Sequence, residues 1–127
     1  MGTFAVKQVK NGIMFNLKAT NGQVVATSEI YTTKRACENG IASVRKNAAI
    51  APIEDQTAET VEKQKNPKFE IFTDKAGEFR FRLKAANGEI IAASQGYASM
   101  KSCLAGIESV KKNAPESPIV EEEAPKA

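Results

Sequence analysis

Residues 77–94, GEFRFRLKAANGEIIAAS, alternate apolar and charged side chains up to Asn87-Gly88 and then run back. Successive strand side chains point to opposite faces, so Phe79, Phe81, Leu83 and Ala85 share one face and Glu78, Arg80, Arg82 and Lys84 the other. That is the pattern of a half-buried antiparallel strand. Asn-Gly tolerates the positive φ values of a two-residue type I′ turn, which predicts Ala85 facing Ile90, Leu83 facing Ala92 and Phe81 facing Ser94. Sixty-six positions earlier, residues 13–28, IMFNLKATNGQVVATS, repeat the design around Asn21-Gly22. The same rule pairs Ala19 with Val24, Leu17 with Ala26 and Phe15 with Ser28.

Working outward, FAVKQV (4–9) reads as a strand that turns at Asn11-Gly12, and residues 69–73 as its counterpart, closed by the longer turn Asp74-Lys75-Ala76-Gly77. Each copy therefore has three strands, 4–9, 13–20 and 23–28, then 69–73, 78–86 and 89–94. Polar joints carrying Tyr31 and Tyr97 lead to Thr33 and Ser99, either of which can cap a helix through its hydroxyl. The helix after Thr33 places Ala36, Cys37, Gly40, Ile41 and Val44 on one side, and its twin places Cys103, Gly106, Ile107 and Val110 there. A mid-helix glycine costs about 1 kcal/mol against alanine, so Gly40 and Gly106 mark a close approach there of helix and sheet, or of the two helices. Basic pairs, Arg45-Lys46 and Lys111-Lys112, suit the helix C-termini, with Asn47 and Asn113 as stop residues. Pro52-Ile53 and Pro118-Ile119 keep the offset and start a short fourth strand.

The expected organisation is repeat one at 1–56, a linker at 57–68, repeat two at 69–120 and a disordered acidic tail at 121–127. A repeat of some fifty residues is near the lower limit for a self-sufficient core, so the two should share one. The expected class is α+β, two βββαβ repeats forming a single antiparallel sheet with two helices on one face. A monomer with internal pseudo-twofold symmetry follows.

These features resemble the YegP-like family of small bacterial proteins of unknown function, here in a tandem form. The residues carrying the resemblance are Phe69-Glu70-Ile71-Phe72, Gly77-x-Phe79-Arg80-Phe81-Arg82-Leu83-Lys84-Ala85-x-Asn87-Gly88, Ser94-x-x-Tyr97, Gly106-Ile107-x-Ser109-Val110-Lys111 and Asn113-Ala114 in repeat two. Repeat one matches through Phe15-x-Leu17-Lys18-Ala19-x-Asn21-Gly22, Ser28-x-x-Tyr31 and Gly40-Ile41-x-Ser43-Val44-Arg45-x-Asn47-Ala48. It departs at its first hairpin, over Lys7 to Asn11. The resemblance implies that the final strands, near Ile53 and Ile119, exchange between the halves. It implies no active-site residues.

Composition narrows the function classes. The 127 residues carry a formal charge of +3 from 18 Lys and Arg against 15 Asp and Glu, with no histidine. Without histidine the chain lacks the commonest general base and metal ligand near neutral pH, and Asp55 and Asp74 are its only aspartates. No apolar run approaches a membrane span, MGTFAVKQVK lacks the apolar stretch of a signal peptide, and Val6 stands where a myristoylation motif wants Ser or Thr. A cytoplasmic, non-enzymatic protein with no cofactor, no metal and no membrane contact is expected.

Cys37 and Cys103 read as small buried residues rather than as a disulfide, in a reducing compartment, or as reactive thiols. Tyr31 and Tyr97 read as plugs of the strand-to-helix corner. The candidate binding residues are Arg80, Arg82 and Lys84 at alternate positions on the outer sheet face, beside Ile91 and Ala93, with Phe72 on the neighbouring strand and Lys18 in repeat one. Arginines and an aromatic on a sheet can grip phosphates and stack bases, so single-stranded nucleic acid is the alternative to a protein partner. A plain solvated face, its long stems covering apolar atoms, is the competing reading.

Overall fold

A computed structural model describes residues 2–121. Three strands, β1 (Thr3–Val9), β2 (Gly12–Lys18) and β3 (Val24–Thr27), precede helix α1 (Lys34–Ala48) and a short β4 (Ile53–Asp55). The second copy repeats the order as β5 (Lys68–Thr73), β6 (Phe79–Lys84), β7 (Ile90–Ala93), α2 (Met100–Asn113) and β8 (Ile119–Glu121). All eight strands form one sheet in the order β4-β5-β6-β7-β3-β2-β1-β8. The halves meet at Thr27, paired with Ala93.

The sheet is mixed, not wholly antiparallel as expected. β4 runs parallel to β5, and β8 parallel to β1. The cause is the implied exchange: each helix carries the chain to the far edge of the other repeat, where the final strand runs opposite to the strand before its helix and so parallel to β5 or β1. β8 ends at Glu121, so the first residue of the expected tail is strand; residues 122–127 lie outside the described residues.

The inward positions agree with the alternation. Phe4, Phe15, Leu17, Phe69, Ile71, Phe81 and Leu83 are fully buried. They form one cluster with Cys37, Ile41 and Val44 of α1 and Cys103, Ile107 and Val110 of α2, so both helices cover the same face. Thr33 and Ser99 cap the helices as expected, accepting from the N–H groups of Ala36 and Ser102.

The Asn-Gly turns differ from the two-residue form. Ala19 donates to the Gln23 carbonyl at 2.8 Å and Gly22 to the Ala19 carbonyl at 2.9 Å, with the same bonds from Ala85 to Glu89 and from Gly88 to Ala85. Only Gly22 and Gly88 take positive φ there, at 84° and 86°, so each loop has three residues with glycine last. Ile90 therefore pairs with Lys84 and Val24 with Lys18, not with Ala85 and Ala19. A bulge at Val25 and at Ile91 then restores the expected Leu17–Ala26 and Leu83–Ala92 pairs. The bulge also removes Ile91 from the outer row, since it is 5% exposed and belongs to the core cluster.

Two helix details also differ. Asn47 and Asn113 do not stop the helices in a left-handed conformation; their amides donate back to Ser43 Oγ and to the Ser109 carbonyl, and the next turn stays right-handed. What approaches Gly40 is the ring of Tyr31, and Gly106 meets the ring of Tyr97 together with Phe81 Cε2 from the sheet. Each ring stacks on the core phenylalanine beneath it, Phe15 or Phe81, with centroids 6.3 Å apart.

Candidate functional site: the uncovered sheet face

With both helices on one side, the other face of the sheet carries the outward residues of every strand. In repeat two, Phe72 pairs across β5 and β6 with Arg80, Glu70 with Arg82, and Lys68 with Lys84. β4 then sets Glu54 beside Glu70. Alternation supplies the residues, and register brings them together.

The cations of this row are joined to carboxylates. Arg80 Nε donates to Asp74 Oδ2 at 2.6 Å, and Arg82 Nε to Glu70 Oε1 at 2.6 Å. Lys84 Nζ lies 3.3 Å from the same Glu70 oxygen. Lys68 Nζ bridges Glu54 at 2.9 Å and Glu70 at 3.2 Å. The side chains of Glu54 and Glu70 are only 3% exposed, so these pairs are screened far less than surface ion pairs. Arg82 also places its guanidinium 4.6 Å from the centroid of the Phe72 ring, a cation–π contact.

Titration follows from these partners. Gln56, Lys68 and the Gln64 N–H hydrogen-bond the Glu54 carboxylate and hold its pKa down to about 2 against the effect of burial. Burial works to raise Glu70, but Arg82, Lys68 and Lys84 outweigh it and hold that carboxyl below its usual range. The hydrogen bond to Glu54 pushes Lys68 up. Asp74 is lowered by Arg80 first and then by the Glu78 N–H.

Phe72, Arg80, Arg82 and Lys84 are thus gathered on β5 and β6, whereas Lys18 is not with them. It lies on β2, three strands from β6, about 14 Å away at the usual strand spacing. Its repeat-one neighbours on the open face are Thr3, Ala5, Lys7, Met14 and Asn16, of which only Lys7 is charged. Sequence reasoning missed Glu54, Lys68, Glu70 and Asp74 as partners of the basic row. Glu70 was within reach, since it alternates with Phe69 and Ile71; Glu54 arrives on the exchanged strand and needed the topology.

The other chemically suggestive groups are accounted for by packing. Cys37 and Cys103 are free and fully buried, and burial raises both thiols, Cys103 to about 11. Burial likewise raises Tyr31, to about 12, and Tyr97. Among the described residues no group of three His, Cys, Asp or Glu side chains could hold a metal ion. No helix there is long and apolar enough to cross a membrane.

Comparison with known proteins places this architecture. The family model described as a domain of unknown function, DUF1508, matches residues 9–55 and again 74–121. A UPF0339 protein of Pseudomonas aeruginosa is 38% identical over 120 residues, covering 94% of this chain and 96% of its own. A Treponema denticola UPF0339 protein is 61% identical over 54 residues, which are 42% of this chain but 93% of that protein. The solution structure of YegP from Escherichia coli superposes with a TM-score of 0.78 at 37% identity, covering 99% of this chain and 96% of that one. Two matched repeats, one mixed sheet and relatives aligned over nearly the whole length carry one conclusion: this chain belongs to the DUF1508 family of YegP-like UPF0339 proteins, a family of unknown function.

Proposed function

We propose that the chain is a non-enzymatic interaction module of the cytoplasm that engages a protein partner through the repeat-two half of the uncovered sheet. The supporting observation is that Phe72, Arg80, Arg82 and Lys84 are half-buried and already held in place, by Asp74, Glu70 and the Arg82–Phe72 contact. Side chains fixed before binding lose little conformational freedom when a partner arrives. Thiols with raised pKa, buried away from solvent, are poor nucleophiles, which favours binding over covalent catalysis.

A photocrosslinking residue at Phe72, compared with one at exposed Leu104 on α2, tests this reading in cells. The expected result is a discrete adduct from position 72 that Arg82→Ala removes. Equal adducts from both positions, or none from position 72, overturn it.

The Arg82–Phe72 pair also favours a second reading, single-stranded nucleic acid bound by stacking and phosphate contact. The carboxylates on the same cations weigh against it, because cations already paired release few counterions from the polyanion. Amide shifts along β5 and β6 on titration with a single-stranded oligonucleotide, lost at high salt and in R80A/R82A, would establish it. Unchanged spectra at low salt would dismiss it.

A further inference from the structure

The two halves of the uncovered face are built on one plan and filled with different chemistry. At the β4 edge Glu54 pairs with Glu70, which faces Arg82, while Lys68 faces Lys84. At the β8 edge the matching positions hold Val120 against Ala5, Asn16 across from Ala5, and Thr3 across from Lys18. One edge is a buried ion network, and the other places small or uncharged groups in the positions of Glu54, Lys68, Glu70 and Arg82.

We propose that Glu54, with Lys68, Glu70 and Arg82, is a pairing key that makes the two repeats seek each other rather than copies of themselves. The exchange of final strands raises the problem that such a key answers. A repeat completes its edge with a strand from another repeat, and the Treponema relative, one repeat long, shows that a single unit exists as a protein. In a tandem chain, repeat one of one molecule could pair with repeat one of a second. That would carry Glu54 to the β1 edge, beside Ala5, with Thr3 and Asn16 in the places of Lys68 and Arg82 and Lys18 in that of Lys84, whose ammonium bonds Glu70 and not Glu54. A carboxylate buried there without those cations is strongly disfavoured, as like or unmatched charges are in specific coiled-coil pairing.

The discriminating power sits in Glu54. Glu70 keeps Arg82 and Lys84 whichever strand arrives beside it. Glu54 finds Lys68 Nζ only at the β5 edge, whereas the Gln56 amide and the Gln64 N–H belong to the segment that follows Glu54 itself.

The test is refolding of the full chain from urea over a range of protein concentrations, followed by measurement of molar mass in solution. The wild type is expected at the mass of one chain throughout. E54V, which gives both final strands a valine, is expected to yield a second species of twice that mass, its share rising with concentration. The fourfold variant T3K/A5E/N16R/V120E copies the network to the β1 edge and should dimerise in the same way with its charges satisfied. Asp74→Ala removes an ion pair outside the key, and its refolded protein should stay at one-chain mass.

The proposal is overturned if the folded fraction of E54V is entirely one-chain in mass at every concentration. It is equally overturned if D74A dimerises as much as E54V, or if the wild type itself refolds to dimers. Circular dichroism on each fraction separates refolded from unfolded chains, so loss of stability cannot pass for altered pairing.

Discussion

The hydroxyl of Tyr31 occupies the space that a Cβ on Gly40 would fill, and Tyr97 stands in the same relation to Gly106, its Oη 2.5 Å from such a Cβ. Helix propensity alone predicts that alanine at either site stabilises by about 1 kcal/mol. The rings are stacked on Phe15 and Phe81 and have little room to move, so overpacking, at about 1–3 kcal/mol, wins. G40A and G106A should both lower stability in urea unfolding. G106A should lose more, because Phe81 Cε2 also stands 2.9 Å from the added methyl. Y31F should recover part of the G40A loss, since the hydroxyl is the nearest atom.

Acid should loosen the β4 edge before the rest. A carboxyl whose folded pKa lies below its unfolded value adds stability that is present above the unfolded pKa and lost as pH falls toward the folded one. For Glu54 that window runs from near 4.5 down to about 2. Unfolding free energy should therefore decline across this range, and E54Q should show a shallower decline. At neutral pH E54Q should be the less stable by about 1–2 kcal/mol, having exchanged a charge-assisted set of bonds for neutral ones. An E54Q curve with the wild-type slope would show that the acid limb comes from other groups.

How much of this was legible can be seen in Phe81 and Glu54. The burial of Phe81 and Phe15 follows from two-residue alternation, which needs no knowledge of what lies across the strand. The turn at Asn87 is not decided by its own residues, because Asn-Gly suits both a two-residue and a three-residue loop. The inner pairs came out as expected because the bulges at Val25 and Ile91 cancel the extra loop residue. Glu54 lay beyond reach for another reason: its cation, Lys68, stands on a strand of the other repeat, 14 positions away, and only the exchange brings it near. The basic row itself was visible, and its carboxylates were not.

The thiols should behave as interior groups. Cys37 and Cys103 are fully buried, and burial pushes the Cys103 pKa up to about 11. At neutral pH, alkylation of the folded protein should run about a hundredfold or more slower than that of the chain in denaturant. Mass spectrometry over time distinguishes the states, and fast labelling of either cysteine in native buffer would contradict this packing.

Ser28 and Ser94 close the sheet where the backbone leaves it. The Phe15 N–H donates to Ser28 Oγ at 2.9 Å and the Phe81 N–H to Ser94 Oγ at 2.9 Å. Each serine returns its own hydroxyl proton to the next carbonyl, that of Glu29 or Gln95. The hydroxyl thus stands in for a strand carbonyl at the point where the chain bends toward the helix. Alanine at either site would leave a buried N–H without an acceptor, at about 1–3 kcal/mol. S28A and S94A should each lower stability by that amount, and amide exchange at Phe15 or Phe81 should quicken more than at Leu17 or Leu83. Threonine keeps the acceptor but adds a methyl at a buried site, so S94T should preserve slow exchange at Phe81 even where overpacking lowers stability. Equal exchange at Phe81 in S94A and S94T would assign the loss to packing instead of to the hydrogen bond.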